Sequence, residues 1–77
     1  MTIKVRFFAS LAERVGRREA ECAHVDGLTV ADVWRQITGQ DSMPDEVLSA
    51  VNHAYSEHAT PLADDDEVAY FPPVTGG

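Results

Sequence analysis

The clearest helix signal in the sequence is LTVADVWRQITG, residues 28–39. Thr29 can cap this helix, because Asp32 follows it at the spacing of a capping box. Gly39 marks the end of the helix. Apolar residues recur at helical spacing along one side, which is typical of a helix that lies on a sheet; they are Val30, Val33, Trp34 and Ile37. We expect Trp34, the largest apolar side chain of the helix, to lie in the core.

The residues before this helix predict two strands and a short helix. Residues 3–8 alternate in character, so three apolar side chains should face the core, namely Ile3, Val5 and Phe7. Phe8 then falls on the polar side of the strand, with Lys4 and Arg6. Ser10 and Glu13 have the capping-box spacing of a short helix, and Gly16 would end it. The segment 19–25 predicts a second strand, which pairs with the first as a hairpin.

The residues after the main helix predict short elements and a final strand. Pro44 is suited to the first turn of a short helix in the polar stretch 41–46. The segment 47–53 contains a third strand centred on Ala50-Val51-Asn52, and the segment 60–64 predicts a tight turn. The last strand covers residues 67–71. Its side chains should alternate, with Val68 and Tyr70 on one face and Ala69 and Phe71 on the other.

Composition narrows the class of protein. A chain of 77 residues with 44% apolar residues makes one small globular domain. Its formal charge of −7 argues against nucleic-acid binding, because phosphates would repel it. The same charge favours partners with basic surfaces, or it serves only solubility. One cysteine, with neither a signal-like segment nor an apolar run of transmembrane length, predicts a cytoplasmic protein without a membrane partner.

The end of the sequence, FPPVTGG at residues 71–77, predicts a protruding tail. The two prolines cannot donate ladder hydrogen bonds, so we divide the chain into a domain at 1–71 and a tail at 72–77. Six extended residues reach about 20 Å, and glycines let the tip pass a narrow channel. The only reactive group of the tip is the α-carboxylate of Gly77. It is ionised at neutral pH and would need activation, for example as an acyl-adenylate.

Several segments carry a resemblance to a known family. Four segments of the sequence resemble the sulfur-carrying small subunits of molybdopterin synthase. They are the ending Pro72-Pro73-Val74-Thr75-Gly76-Gly77, the residues 61–70 before it, the opening Ile3-Lys4-Val5-Arg6-Phe7-Phe8-Ala9 and the segment Ala50-Val51-Asn52. The ending is the most specific part. The resemblance covers most of the chain, and the region 39–49 is its least distinctive part.

The resemblance implies the fold. It is the α+β, β-grasp fold of ubiquitin-like proteins, a mixed sheet packed on one main helix. The predicted order of strand, strand, long helix, short strands and final strand agrees with it. The right-handed crossover through the helix makes the first and last strands parallel neighbours at the centre of the sheet.

The resemblance also implies the function. Gly77, next to Gly76, would be adenylated by an ATP-dependent, E1-like enzyme and converted to a thiocarboxylate with sulfur from a donor protein. The loaded tail would then donate sulfur to cyclic pyranopterin monophosphate in the large catalytic subunit of a heterotetrameric synthase. This chain would bind no cofactor and supply no catalytic side chain, so ATP would be used only by the activating enzyme.

Exposed aromatic residues mark a candidate partner-binding surface. Phe8 and Phe71 fall on the face away from the core, and parallel pairing would bring them together at the base of the tail. Tyr55 would extend this patch. Exposed aromatic patches usually mark interfaces, although scattered exposure is also common. The family resemblance adds the tail residues Pro72, Pro73, Val74 and Thr75 to the predicted partner-binding set.

The remaining candidate residues favour structural roles. Glu19 and Glu21 surround Cys22 with negative charge, which disfavours a reactive thiolate. The three histidines, at positions 24, 53 and 58, lack the spacing of a metal site, so we predict none. The acidic run 64–67 lacks the spacing and the glycine of an EF-hand. It reads as a solvated turn that helps to dock a basic partner.

Three other functions stay open at this level. The same tail would serve a sulfur carrier for thiamine, cysteine or transfer-RNA thiolation. It would also serve a ubiquitin-like modifier that forms isopeptide bonds, although Lys4 is the sole lysine and lysine-linked chains of this protein are therefore disfavoured. The third is a β-grasp interaction module with an inert terminus.

Overall fold

The computed structural model describes residues 2–73. The elements are β1 (Thr2–Phe7), α1 (Ser10–Val15), β2 (Glu19–Ala23), α2 (Val30–Thr38), β3 (Leu48–Val51), β4 (Ala54–Ser56) and β5 (Glu67–Phe71). The strands form one sheet in the order β2-β1-β5-β3-β4. β1 and β5 are parallel, and the other neighbours are antiparallel. This is the predicted β-grasp arrangement, with the first and last strands paired at its centre.

Helix α2 forms where its capping signals predict it. The Thr29 amide donates to Asp32 Oδ2 at 3.0 Å, and the Asp32 amide donates to Thr29 Oγ1 at 3.2 Å, so both halves of the capping box are present. The hydrogen bond from the Thr29 amide lowers the pKa of the Asp32 carboxyl. At the other end, Gly39 takes a left-handed conformation with φ of 76°.

The core lies between α2 and one face of the sheet, called the inner face here. Its strand residues are those that the alternation predicts: Ile3, Val5, Phe7, Val68 and Tyr70. Trp34 packs edge-on against two of them, with ring centroids 6.0 Å from Phe7 and 5.1 Å from Tyr70. The Tyr70 hydroxyl donates to the Val30 carbonyl at 2.7 Å, so this buried polar group is satisfied.

The start of α1 differs from the prediction. Ala9, with φ of 54°, occupies the N-cap position, and no side chain caps the helix, so the capping box predicted for Ser10 and Glu13 is wrong. The Phe8 amide donates to the Tyr70 carbonyl at 3.0 Å, which extends the sheet pairing by one residue. The chain therefore has to turn at Ala9, between the end of this pairing and the start of α1. Gly16 ends α1 in a left-handed conformation, as predicted.

The segment between α2 and β5 differs most from the prediction. The predicted short helix at Pro44 is a single turn, in which the Val47 amide donates to the Pro44 carbonyl at 3.1 Å. Asn52 was predicted within the third strand, but Asn52 and His53 have φ of 50° and 72° and form the turn between β3 and β4. The predicted tight turn at 60–64 is also wrong, because Pro61 bridges to Thr29 in an extended stretch and the turn falls at 64–65.

Within residues 2–73, no helix is long and apolar enough to cross a membrane.

Candidate functional site

The face of the sheet opposite α2, called the outer face here, carries the predicted aromatic residues. Phe8 follows the last residue of β1 and is 46% exposed, and Tyr55 on β4 is 80% exposed. Phe71, the last residue of β5, is half-buried. The alternation of the strands therefore separates these rings from the core, as the sequence predicts.

The sheet register brings these aromatic residues to one end of the outer face. Phe7 pairs with Tyr70, so the next step of the same parallel register places Phe8 opposite Phe71. The ring of Tyr55 lies 5.9 Å from that of Phe71, centroid to centroid, at an interplanar angle of 58°. We call Phe8, Tyr55 and Phe71 the aromatic patch.

Small residues next to the aromatic patch leave it open to a partner. Ala50 pairs with Ala69 on one side and with Tyr55 on the other, so two alanines lie on the outer face between β1 and Tyr55. Leu48 pairs with Phe71 and is half-buried. Sequence reasoning did not select Leu48, although the alternation through Ala50 places it on this face. The patch therefore has an apolar border as well as aromatic members.

The base of the predicted tail lies beside the aromatic patch. Pro72 is half-buried and Pro73 is exposed, and both follow β5 without joining the ladder. The predictions for Val74, Thr75, Gly76 and Gly77 lie outside the described residues. The described part of the chain thus brings together Phe8, Tyr55 and Phe71 with the root of the segment that should carry the reactive carboxylate.

The other predicted candidates are separated from this patch or engaged in structural contacts. Burial raises the pKa of the Cys22 thiol, which disfavours the nucleophilic thiolate. His24 Nε2 donates to the Leu62 carbonyl at 2.9 Å. Asp66 accepts from Asn52 Nδ2 at 2.8 Å and from the Ala63 amide at 2.7 Å. Across residues 2–73, no cluster of three or more metal-ligating side chains is found.

The five-stranded sheet on α2 and the aromatic patch at the base of the tail define a ubiquitin-like protein of the β-grasp fold. The chain belongs to the ThiS family, whose model matches residues 5–77. The resemblance seen in the sequence is therefore confirmed at the level of the family.

Two relatives match nearly the whole chain. The molybdopterin synthase sulfur carrier subunit of Escherichia coli (strain K12) is 42% identical over an alignment of 81 positions, which covers 97% of this chain and 99% of that protein. The protein of the same name from Chlamydomonas reinhardtii is 35% identical and covers 100% of both chains.

Two solved structures illustrate the similarity of fold. Small archaeal modifier protein 1 of Haloferax volcanii has a TM-score of 0.79 and 26% identity, with 95% of this chain and 98% of that chain covered. A chain of the complex of subunits 1 and 2 of the molybdopterin-converting factor from Helicobacter pylori 26695 has a TM-score of 0.64 and 21% identity, with both chains fully covered.

Proposed function

We propose that this protein is the sulfur carrier subunit of molybdopterin synthase. The observation that carries the proposal is the 42% identity, over nearly the whole chain, to the Escherichia coli protein of that name. The aromatic patch supports it, because a carrier must dock on other proteins while its tail enters their active sites. The exposed rings lie where such docking would leave the tail directed at the partner.

The chemistry of the carrier would take place at the carboxylate of Gly77. In the first step this carboxylate attacks the α-phosphate of ATP on an E1-like enzyme, and pyrophosphate leaves. The resulting acyl-adenylate is a good electrophile. The terminal sulfur of a persulfide on the donor protein then attacks the acyl carbon, and AMP leaves. A thiol of a partner protein cleaves the S–S bond of the resulting acyl disulfide, which releases the thiocarboxylate and leaves a disulfide on the partner. Gly76 and Gly77 present no side chain that would obstruct either attack.

The thiocarboxylate would then act as the sulfur donor in the large subunit. Its sulfur is a strong nucleophile, and the extended tail can bring it to cyclic pyranopterin monophosphate inside a cleft. Two such transfers supply the two sulfurs of the molybdopterin dithiolene. The folded domain contributes docking and reach, and the side-chain catalysis belongs to the partner proteins.

The partners in this proposal are the large catalytic subunit, the E1-like enzyme and the sulfur donor protein. The Helicobacter pylori neighbour is a complex of subunits 1 and 2 of the molybdopterin-converting factor, which supports docking of this chain on a second subunit. We propose that this chain and the large subunit assemble as a heterotetramer. The partner-binding residues would be Phe8, Tyr55, Phe71, Pro72, Pro73, Val74 and Thr75.

Intact-mass measurement tests the proposal directly. The protein is incubated with the cognate E1-like enzyme, ATP and a sulfur source, and then with the large subunit and cyclic pyranopterin monophosphate. We expect a mass gain equal to the exchange of one oxygen for sulfur, and reversal of that gain as molybdopterin forms. A protein that never gains sulfur, or that keeps it in the presence of the large subunit and substrate, contradicts the proposal.

The position of the terminal carboxylate gives a second test. Deletion of Gly77, or addition of one residue after it, should abolish sulfur transfer and leave thermal unfolding unchanged, because the core of the described residues is complete by Tyr70. Synthase activity retained in either variant would contradict the proposed chemistry.

Modification of other proteins is a second candidate function. It is favoured by the similarity in fold to small archaeal modifier protein 1. In that case an amine of a target protein would attack the acyl-adenylate, and an isopeptide bond would form as AMP leaves. The same mass measurement separates the two functions, since a modifier would appear as an adduct of target size.

A further inference from the structure

Charge is distributed unevenly along this chain. Residues 2–18 contain five basic residues against one acidic residue, Glu13, whereas residues 19–73 contain one basic residue, Arg35, against twelve acidic residues. The formal charge of −7 therefore conceals a basic segment in an otherwise acidic protein.

The fold places the exposed end of this basic segment beside the base of the tail. β1 and β5 are parallel, so both strands end on the side of the sheet from which the tail leaves. The Phe7 amide donates to the Arg18 carbonyl at 2.9 Å, which puts the turn before β2 at this same side. The acidic run 64–66 precedes β5, and the Lys4 amide donates to the Asp66 carbonyl at 3.0 Å, so that run lies at the opposite end.

A groove of about 980 Å³ lies between α1, the end of β1 and this turn. Phe8 of the aromatic patch forms one of its walls. The charged side chains that line it are three arginines, Arg6, Arg17 and Arg18, and two glutamates, Glu13 and Glu19. Arg6 is paired with Glu67, with Nε 3.5 Å from the carboxylate. Arg17 and Arg18 are exposed, and within the described part of the chain neither forms an ion pair.

We propose that this groove receives carboxylate side chains of the large subunit when that subunit docks on the aromatic patch. The inference rests on the proposed function and adds the chemistry of the partner's surface to it. Guanidinium groups bind carboxylates through two parallel hydrogen bonds, and Phe8 makes the groove continuous with the patch. The partner therefore carries an acidic rim beside the entrance that admits the tail, although the net charge of this chain predicts a basic partner.

Two other anions fit the groove less well. When the tail is extended, Gly77 lies up to about 20 Å beyond Phe71, so arginines at the base of the tail are far from nucleotide phosphates that react at its tip. A nucleic acid would meet strong repulsion from the acidic remainder of the surface. Carboxylates of a partner protein avoid both difficulties. They can bind next to the aromatic patch, at the base of the tail, without lying against the acidic remainder of the surface.

The test compares two double variants of equal net charge. Arg17→Gln/Arg18→Gln removes both free guanidinium groups and changes the formal charge from −7 to −9. Gln36→Glu/Ser42→Glu produces the same charge at two exposed positions, on α2 and just after it, away from the aromatic patch. Circular dichroism and thermal unfolding first establish that both variants fold as the unaltered protein does.

Stopped-flow association with the cognate large subunit is then measured at low and high salt. We expect the arginine variant to associate about tenfold more slowly than the charge-matched variant at low salt, because rim charges act mainly on the association rate. The difference should largely vanish at about 0.5 M salt, since the Debye length then falls to a few ångströms.

Specific results would overturn the inference. Equal association rates for the two variants, with normal binding by the unaltered protein, contradict the groove assignment and leave the proposed function intact. An unaltered protein that does not bind the large subunit contradicts both. Self-association that is lost in Arg17→Gln/Arg18→Gln and kept in the charge-matched variant would assign the groove to a second copy of this chain instead.

Discussion

The two faces of the sheet carry aromatic residues that are neighbours in the sequence and differ in environment. Phe7 and Tyr70 lie on the inner face, where their rings stack with centroids 5.5 Å apart and both are buried. Phe8 and Phe71, one position further along each strand, belong to the outer face. Because side chains alternate along a strand, a single step separates a ring that stabilises the fold from a ring that is available to a partner.

Single alanine substitutions at the adjacent residues Phe7 and Phe8 should show the largest difference in stability between the two faces. Phe7→Ala removes a buried ring from contact with Trp34 and Tyr70, and we expect it to lower the free energy of unfolding by about 3–5 kcal/mol. Phe8→Ala should lower it by about 1 kcal/mol or less, because Phe8 is 46% exposed and buries much less apolar area than Phe7. Urea denaturation of both variants checks the pair, and equal losses would refute the assignment of faces.

The aromatic patch should affect binding rather than folding. Phe71→Ala is expected to weaken binding to the large subunit by at least about 1 kcal/mol, because interface aromatics commonly dominate the free energy of association. Val25→Ala is the matched control, since Val25 is 55% exposed and follows β2 at the other end of the sheet. Isothermal titration calorimetry measures both affinities, and unchanged binding by Phe71→Ala would remove Phe71 from the interface.

The buried Tyr70 of the inner face should also make the free energy of unfolding depend on pH in the alkaline range. Burial raises the pKa of the Tyr70 hydroxyl well above its ordinary value. Above about pH 10 the unfolded chain loses this proton while the folded chain keeps it, so stability is full below that pH and falls as the pH rises. Tyr70→Phe should flatten this fall.

At neutral pH the same substitution should cost about 1 kcal/mol, because the hydrogen bond to the Val30 carbonyl is lost. Thermal unfolding across the alkaline range provides the measurement. A variant with the same alkaline slope as the unaltered protein would show that another group titrates.

Contact within the patch should have the smallest effect on folding. The rings of Tyr55 and Phe71 touch on an exposed surface, so a double-mutant cycle with alanine at both positions should give a coupling free energy of unfolding of about 0.5 kcal/mol. A coupling of several kcal/mol would mean that the patch is part of the core, and the distinction between the two faces would fail.

Features that depend on local periodicity could be predicted from the sequence. The alternation in residues 3–8 and 67–71 assigned each strand residue to its face, and the capping box at Thr29 located α2. Phe8 stands out because it breaks the polar pattern of Lys4 and Arg6, and Phe71 is assigned to the outer face because the alternation of β5 places it with Ala69. The parallel pairing that brings them together needed the handedness of the crossover and the family resemblance as well.

Features that depend on distant hydrogen bonds could not be predicted locally. Asn52 has a positive φ because its amide oxygen accepts from the Glu67 amide at 3.0 Å and its backbone amide donates to the Glu67 carbonyl at 2.8 Å. Two-residue hairpin turns with positive φ are usually signalled by glycine, which is missing from Asn52-His53. The contact between Tyr55 and Phe71 depends on this hairpin. The sequence predicts that Tyr55 extends the patch, and the structure adds the geometry of the ring contact.

The position of β5 determines how the domain responds when its tail is drawn into a cleft. β5 lies between β1 and β3, and its last residue, Phe71, is followed directly by the predicted tail, so a partner that draws on the tail pulls on the end of β5. A pulling force on the tail is therefore shared in shear by the hydrogen bonds of both neighbouring ladders, whereas a tail attached to an edge strand would open its ladder one bond at a time. When a partner enzyme pulls on the tail, the central strands of the sheet should therefore resist the force, and the domain should stay folded.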